Sequence, residues 1–532
     1  MSLRKDSPRE DVSRALFSRV LVANRGEIAL RVIRACRELG IESVAVYSDA
    51  DAGALHVRLA DRAVHIGPAP AVDSYLRIDR ILDAAERMDC DALHPGYGFL
   101  SEQPDIAEAC EAAGITFIGP SREALAELGD KLAARKRAVD AGVPVVPGIF
   151  WPIVLSGERD EAELREQADR IGYPVLIKAA AGGGGRGMRR VNARDELIEA
   201  VHGAAREAAA AFGDGSVYLE RYVESARHVE VQLLGDGEGR VIALGERDCS
   251  IQRRHQKLVE EAPAPGLTTE QRRELHELGV RVVRTVGLRN AATAEFLLTP
   301  GGEFWFLEVN ARLQVEHGVT ELVSELDIVH EQIAIAAGRP LSARALSAAA
   351  RAAEPVRHAI EVRLSAEDPA NSFAPGPGRL TRWRPPSGPG VRVDSGVEEG
   401  SDIPGDYDSM FAKLMVVAPD RTAALSRMRR ALDETEIAGV QSTLPFHRWI
   451  IEQPDFTDES GAGLSTDLVA RTWEPAPLVA AAALRAAELT ALAARTSAAL
   501  TPSEPRAGRA TQPKADDAWW QAGVREQLDE RR

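Results

Sequence analysis

The chain has 532 residues, 45% of them hydrophobic, and a formal net charge of −16. That length buries a large core divided into about three or four domains, and the acidic balance, with no long basic tract, excludes a nucleic-acid partner, because phosphate binding needs clustered positive charge. No stretch approaches the roughly 20 apolar residues of a membrane helix. The opening Met1–Glu10 lacks the apolar segment of a secretion signal. Cys36, Cys90, Cys110 and Cys249 form no Cys-x-x-Cys pair, which excludes a zinc ribbon and fits a reducing compartment. The expectation is a soluble, cytoplasmic protein with no membrane partner.

Residues 1–18 are polar and read as a disordered terminus. Val20 to Ala23 predicts a buried strand, Glu27 to Leu39 an amphipathic helix stopped by Gly40, and Ser43 to Tyr47 a second strand, a βαβ start. The turn after the first strand is Asn24-Arg25-Gly26-Glu27. It holds no Gly-x-Gly-x-x-Gly, which disfavours dinucleotide binding. His94 to Glu102, around Tyr97, is a Gly-rich aromatic loop after a strand; a tight turn over a core tyrosine and a site loop fit it equally well. Ile115 to Ile118 predicts another strand, and Gly129-Asp130-Lys131 opens a basic helix that ends at Gly142.

The strand ending at Lys178 runs into Gly182-Gly183-Gly184-Gly185-Arg186. Such glycines let backbone N–H groups turn to an anion while Lys178 and Arg186 supply charge, so the segment reads as a phosphate-binding lid. A flexible linker is the plain alternative, but it needs neither flanking strands nor arginines. No Gly-Lys-Ser/Thr closes the loop, so it is not of the Walker type. Ser216 to Val223 carries a strand into a segment whose backbone could hold a flat base. Arg227 to Leu233 alternates as a strand, on which His228 by itself is an ordinary half-buried histidine. Glu246 to Lys257 is densely cationic, a solvated face or a set of Arg, His and Lys donors for a small anion.

Ala294–Leu298, the turn Thr299-Pro300-Gly301-Gly302 and Phe304–Val309 predict a hairpin that places Glu295 beside Glu308. If the chain stays extended, Glu308, Asn310, Arg312, Gln314 and Glu316 share one face, with Val309, Ala311, Leu313 and Val315 behind. Two carboxylates and an amide oxygen gathered there call for a hard cation such as Mg²⁺; the plain alternative is a solvated hairpin. Helices then run to about Leu346. Arg357, Ala359, Glu361 and Arg363 share one face of the next strand, residues 373–405 are β-rich, and the end is an Ala-rich helix, a Pro-rich linker and Trp519-Trp520.

Taken together, Ala23–Glu27, His94–Glu102, Lys178–Arg189, Arg247–Pro265 and Asn310–His317 resemble biotin carboxylase of the ATP-grasp superfamily, from about Arg19 to about Trp449. The resemblance implies an α/β (α+β) protein. Its parts are a Rossmann-like N-terminal domain over 19–131, an ATP-grasp lid over 132–222, an ATP-grasp core over 223–350 and a β-rich C-terminal domain over 351–465. A tail over 466–532 follows, a candidate dock for a partner. Nucleotide contacts fall by resemblance on Lys131, Lys178, Gly184, Gly185, the adenine-holding Glu220, Arg221, Tyr222 and Val223, and His228. Mg²⁺ or Mn²⁺ ligands fall on Glu295, Glu308 and Asn310. The bicarbonate site falls on Lys257, Arg312, Gln314, Val315 and Glu316, with His255 close by; Arg363 matches the arginine facing the biotin ureido oxygen, and Tyr97 lines the same cleft.

The implied activity is ATP- and bicarbonate-dependent carboxylation of biotin through carboxyphosphate, with Glu316 as base, Lys257 and Arg312 holding bicarbonate, and Arg363 stabilising the developing oxyanion. No methionine is followed by lysine, as in the Met-Lys-Met of biotin-bearing domains, so biotin is expected on a separate biotin carboxyl carrier protein, together with a homodimer or larger complex and a carboxyltransferase subunit. The final acceptor, acyl-CoA in fatty acid metabolism or pyruvate, is the choice of that carboxyltransferase. The rivals are another ATP-grasp carboxylate-amine ligase and a non-catalytic nucleotide-binding scaffold. Three departures stand out: Ala311 and Gly318 where the family usually has Thr and Pro, with Gly318 expected to loosen the exit of the strand; Arg221 for a common lysine; and an unusually apolar Ile149–Leu155.

Overall fold

The computed structural model describes residues 16–476 apart from 150, 154, 156 and 181–187. Strands β1 (Arg19–Val22), β2 (Glu42–Ser48), β3 (Arg62–Gly67), β4 (Ala92–His94) and β5 (Thr116–Phe117) form a parallel sheet in the order β3-β2-β1-β4-β5. Val20, Leu21 and Val22 are fully buried, as expected of a central parallel strand covered by helices on both faces. The strand order reverses between β1 and β4, so the loops that follow them open a crevice at their carboxyl ends. There Asn24 Nδ2 donates to the carbonyls of Pro95 (2.7 Å) and Tyr97 (2.8 Å), tying one loop to the other. Gly96, at φ +65°, is needed for that approach, because a Cβ would lie 2.9 Å from Asn24 Nδ2.

Strands β6 (Val175–Ala179), β7 (Arg189–Val191) and β8 (Val217–Arg221) make a small antiparallel sheet in the order β7-β6-β8. It packs on helices Glu158–Ile171 and Leu197–Phe212 through its own core, which includes Leu164, Val175, Ile177, Val201 and Leu219.

The largest sheet is antiparallel and eight-stranded. It joins β9 (Arg227–Asp236), β10 (Val241–Arg253), β11 (Gln256–Ala262), β12 (Arg289–Leu298), β13 (Phe304–Asn310) and β14 (His358–Ser365) to strands Val391–Ser395 and Met410–Ala418. In space the order is β13-β12-β9-β10-β11-β14, then Met410–Ala418, then Val391–Ser395. The segment read as β-rich thus feeds its longer strands into the sheet that carries the acidic hairpin, and adds helices Arg421–Glu434 and Leu444–Ile450 behind it. Ile360, Val362, Leu414 and Val416 fill the core beneath.

The hairpin pairs as expected, with Glu295 opposite Glu308 and Thr293 opposite Asn310. The extended run to Glu316 is not formed. β13 ends at Asn310, and Ala311 and Leu313 enter separate cores. The carbonyls that a longer strand would offer to a ladder are taken by side chains, Gln314 O by His317 Nδ1 (2.7 Å) and Val315 O by Lys413 Nζ (2.5 Å). Gly318 therefore loosens no strand exit: it lies in helix His317–Ser324, where a Cβ would collide with Met415 Sδ, so its bare backbone is what lets the helix settle on that strand. Among the described residues, no helix is long and apolar enough to cross a membrane.

Candidate active site

A cavity of about 720 Å³ opens between the loops after β1 and β4, the small sheet and the large sheet. One end is built by helix Lys131–Asp140, β6 and β8. Lys131, at the first helical position, reaches Glu308 Oε2 at 3.1 Å, and Lys178 on β6 reaches Glu220 on β8 at 2.6 Å. Arg221, Tyr222 and Val223 continue this wall. The amides of Arg221 and Tyr222 are bonded to the carbonyls of Pro147 (2.7 Å) and Pro174 (2.9 Å), so these two are not the groups offered to a ligand.

The floor is acidic and heavily paired. Glu295 Oε1 accepts from Asn310 Nδ2 (2.9 Å), Gln314 Nε2 (3.3 Å) and Lys257 Nζ (3.1 Å), while His228 Nε2 stands 3.2 Å from the other oxygen. Burial pushes the Glu295 carboxyl up, but Lys257 and His228 outweigh it and hold the group far below the usual carboxylate range. Burial pushes His228 the other way, and Glu295 and Glu230 overcome it, raising the imidazole to about 9. His255 is lowered by burial and by the cations Lys178 and His228.

The third part holds cations against carboxylates. Lys257 Nζ contacts Glu230 (2.5 Å), Glu295 (3.1 Å) and Glu316 (2.6 Å); burial opposes its charge, yet these three carboxylates keep it charged well above the ordinary lysine range. Arg363 Nη2 donates to Glu316 Oε2 at 3.0 Å, and its carbonyl is pinned by Thr443 Oγ1 (2.8 Å) and His447 Nε2 (2.6 Å). Arg312 Nε donates to Glu102 Oε2 at 2.8 Å, and its Nη2 to Asn310 Oδ1 at 3.0 Å. Tyr97 donates its hydroxyl to Glu27.

Lys131, Lys178, Glu220, Arg221, Tyr222, Val223, His228, His255, Lys257, Glu295, Glu308, Asn310, Arg312, Gln314, Val315, Arg363 and Tyr97 all line this one cavity. Glu316 does not form its wall. Its carboxylate is fully buried and sits behind Lys257 and Arg363, within reach of both. Gly184 and Gly185 lie outside the described residues.

Sequence reasoning missed the charges beneath the floor. Glu230, fully buried, joins Lys257 to Arg247, whose Nε donates to it at 2.6 Å; Arg247 also donates to Gln232 Oε1 (2.9 Å) and Thr320 Oγ1 (2.8 Å). The alternation of His228, Glu230 and Gln232 along β9 was a signal, since all three share one face of the sheet, on which Glu230 stands opposite Glu295 of the neighbouring β12. Nothing local marks Arg247 as a fully buried cation.

The donor chemistry fits a divalent metal. Glu295 and Glu308 supply hard anionic oxygens on adjacent strands and Asn310 a neutral one, the set that Mg²⁺ or Mn²⁺ favours.

Comparison with known proteins agrees along most of the chain. Residues 16–125 match the family model of the biotin carboxylase N-terminal domain, 130–344 the carbamoyl-phosphate synthase L chain ATP-binding domain, and 361–471 the biotin carboxylase C-terminal domain. A pyruvate carboxylase subunit of Methanothermobacter thermautotrophicus is 52% identical over 83% of this chain and 88% of its own length; biotin carboxylase of Allochromatium vinosum is 50% identical over 83% and 96%. Among solved structures, a biotin carboxylase β-γ-ATP complex from Campylobacter jejuni superposes with a TM-score of 0.81 at 44% identity, covering 86% of this chain and 99% of that one. The biotin carboxylase domain dimer of Hydrogenobacter thermophilus 2-oxoglutarate carboxylase, holding MgADP, ADP and bicarbonate, gives 0.80 at 45% identity, covering 86% and 97%. With a fold, a charged cavity and family models that follow one another from residue 16 to residue 471, the chain belongs to the biotin carboxylase family, ligases built on the ATP-grasp fold.

Proposed function

We propose that this enzyme uses ATP and bicarbonate to carboxylate biotin carried on a separate protein, the first half-reaction of an acyl-CoA or pyruvate carboxylase. The observation that carries the reading is the placement of Glu316 between Lys257 (2.6 Å) and Arg363 (3.0 Å), beside the Glu295–Glu308 pair. Lys131, Lys178 and the Glu220–Val223 segment would hold the nucleotide. Glu295, Glu308 and Asn310 would hold Mg²⁺ or Mn²⁺, which when bound shields the charge of the phosphate oxygens.

Bicarbonate is an anion and competes for the cations that cover Glu316. As Lys257 turns to it, with Arg312 as the second cation holding the bicarbonate, Glu316 is freed on the Lys257 side, accepts the bicarbonate proton, and the oxyanion attacks the γ-phosphate in line. Carboxyphosphate and ADP result. Carboxyphosphate decomposes to CO₂ and phosphate; phosphate removes the ureido N1′ proton of biotin, and N1′ bonds to CO₂. Arg363 stabilises the enolate-like ureido oxygen, a contribution of about 3 kcal/mol for a well-placed donor.

The domain limits given above, a homodimer or larger complex, a cytoplasmic location, a biotin carrier and a carboxyltransferase partner belong to the same proposal. So does docking through the tail over 466–532, whose Trp519-Trp520 lies outside the described residues. The test is ATP hydrolysis by the purified chain. Dependence on bicarbonate and stimulation by free biotin support the reading; stimulation by an amine instead supports a carboxylate-amine ligase.

A further inference from the structure

Two carboxyls lie under Arg363 and are not among the residues that line the cavity. Glu260 on β11 and Glu361 on β14 are cross-strand partners, 1% and 0% exposed. Glu260 Oε1 accepts from Arg363 Nε at 2.6 Å. Glu260 Oε2 and both oxygens of Glu361 have no hydrogen-bond partner among the described residues. Around Glu361 stand the backbone of Gly318, from which a Cβ would be 3.4 Å from Glu361 Oε2, and Met415, its partner on the next strand. The cation on that strand is Lys413, and it is engaged elsewhere: its Nζ donates to Val315 O at 2.5 Å and stands 3.4 Å from Glu27.

A buried carboxylate with no donor loses its hydration and receives nothing in return, so the neutral acid is the form such a site accepts. Glu260, Glu316 and Glu361 gather round one guanidinium, with Lys413 and Lys257 as the other nearby cations. Of the three, Glu361 is the one that no Arg or Lys hydrogen bond holds as an anion. We propose that Glu260 is a positioning residue for Arg363, and that Glu361 is a protonated, uncharged acid whose proton leaves Glu260 free to stay anionic and keep the guanidinium aimed at the cavity. The assignment rests on the biotin-carboxylation reading given above, and it adds a role for residues that touch neither substrate nor metal.

The arrangement solves a problem set by that reading. Arg363 is shared between Glu316 and Glu260, and when Glu316 accepts a proton it ceases to be an anionic partner. Glu260 Oε1 is met by both Nε (2.6 Å) and Nη2 (2.5 Å), the latter being the nitrogen that also meets Glu316 at 3.0 Å, so Glu260 remains as the anionic partner when Glu316 is neutralised. Burial pushes both carboxyls up, Glu361 well above the ordinary range even against Lys413, and Glu260 only to about 7 because Arg363 opposes it, so of the two it is Glu361 that keeps its proton. Deprotonation of Glu361 at alkaline pH would place a second anion against Glu260 and disturb Arg363.

The test uses the full-length enzyme, with bicarbonate-dependent ATP hydrolysis without biotin and the rate with saturating free biotin both followed from about pH 6 to about pH 9. Glu260→Gln should lower the biotin-stimulated kcat at least about tenfold more than it lowers hydrolysis without biotin, and Glu260→Asp should restore part of the loss. Glu361→Gln copies the neutral acid; it should keep the biotin-stimulated kcat near pH 7 within about threefold and move the alkaline limb of its pH profile upward. The inference is overturned if Glu260→Gln reduces both rates alike, or if Glu361→Gln is as damaging as Glu260→Gln at neutral pH, or if the alkaline limb stays in place. Where Glu260→Gln does not fold, the pH profile of Glu361→Gln decides. A wild-type enzyme whose hydrolysis ignores bicarbonate overturns the reading of the site itself, a separate result.

Discussion

Glu295 and Glu308 face each other across the hairpin, and each is met by a lysine from a different part of the chain, Lys257 at 3.1 Å and Lys131 at 3.1 Å. The lysines balance charge that a cation and a triphosphate would otherwise redistribute. Glu295→Gln and Glu308→Gln should each raise the Mg²⁺ concentration needed for half-maximal activity by about 10–100-fold. Steady-state rates titrated with MgCl₂ at saturating ATP check this; an unchanged Mg²⁺ dependence would place the metal elsewhere.

Glu316 is fully buried and held by two cations. As a general base it should account for about 10²–10⁴-fold in rate. Glu316→Gln, which keeps shape and loses basicity, should show that fall in kcat with the KM for ATP nearly unchanged. A loss confined to KM would mean that Glu316 binds rather than accepts a proton.

Legibility in the sequence followed the range of the interactions. The Glu295–Glu308 hairpin was readable because alternation and a Pro-Gly-Gly turn are local. The end of β13 at Asn310 was not, because the residues beyond it are held by distant partners, Val315 O by Lys413 Nζ among them. The same holds for the sheet: a pattern identifies His358–Ser365 and Met410–Ala418 as strands but does not say that they extend the sheet of the acidic hairpin. Arg247 illustrates the limit for the site. Its run reads in sequence either as a solvated face or as donors for a small anion, and only pairing of β10 with β9 turns Arg247 inward onto Glu230.

Away from the cavity, the Glu261 carboxyl is pushed up by burial and pulled down more strongly by Arg421, reaching about 2 against an ordinary 4.5. Its Oε2 accepts from Arg421 Nε at 2.7 Å and lies 2.7 Å from His358 Nε2. The folded-state value is the lower one, so the stabilisation is fully present above about pH 4.5 and is lost as pH falls towards 2. Glu261→Gln should cost about 3 kcal/mol near neutral pH and almost nothing at the acid end. Urea unfolding midpoints at several pH values check it; a penalty independent of pH would contradict the ion-pair account.

Gly318 and Met415 form a packed pair, since a Cβ at 318 meets Met415 Sδ. Gly318→Ala should destabilise the protein by about 1–3 kcal/mol through overpacking, and Met415→Val in the same chain should recover part of that loss. A double-mutant cycle by thermal unfolding measures the coupling; strictly additive effects would show that the two positions do not press on each other.

The decisive experiment is phosphate release from ATP by the purified wild-type chain with Mg²⁺, with and without bicarbonate and free biotin, alongside Glu316→Gln. Hydrolysis should require bicarbonate, rise with biotin and be lost in the variant. Hydrolysis indifferent to bicarbonate, or retained when Glu316 is replaced, would contradict the proposed chemistry.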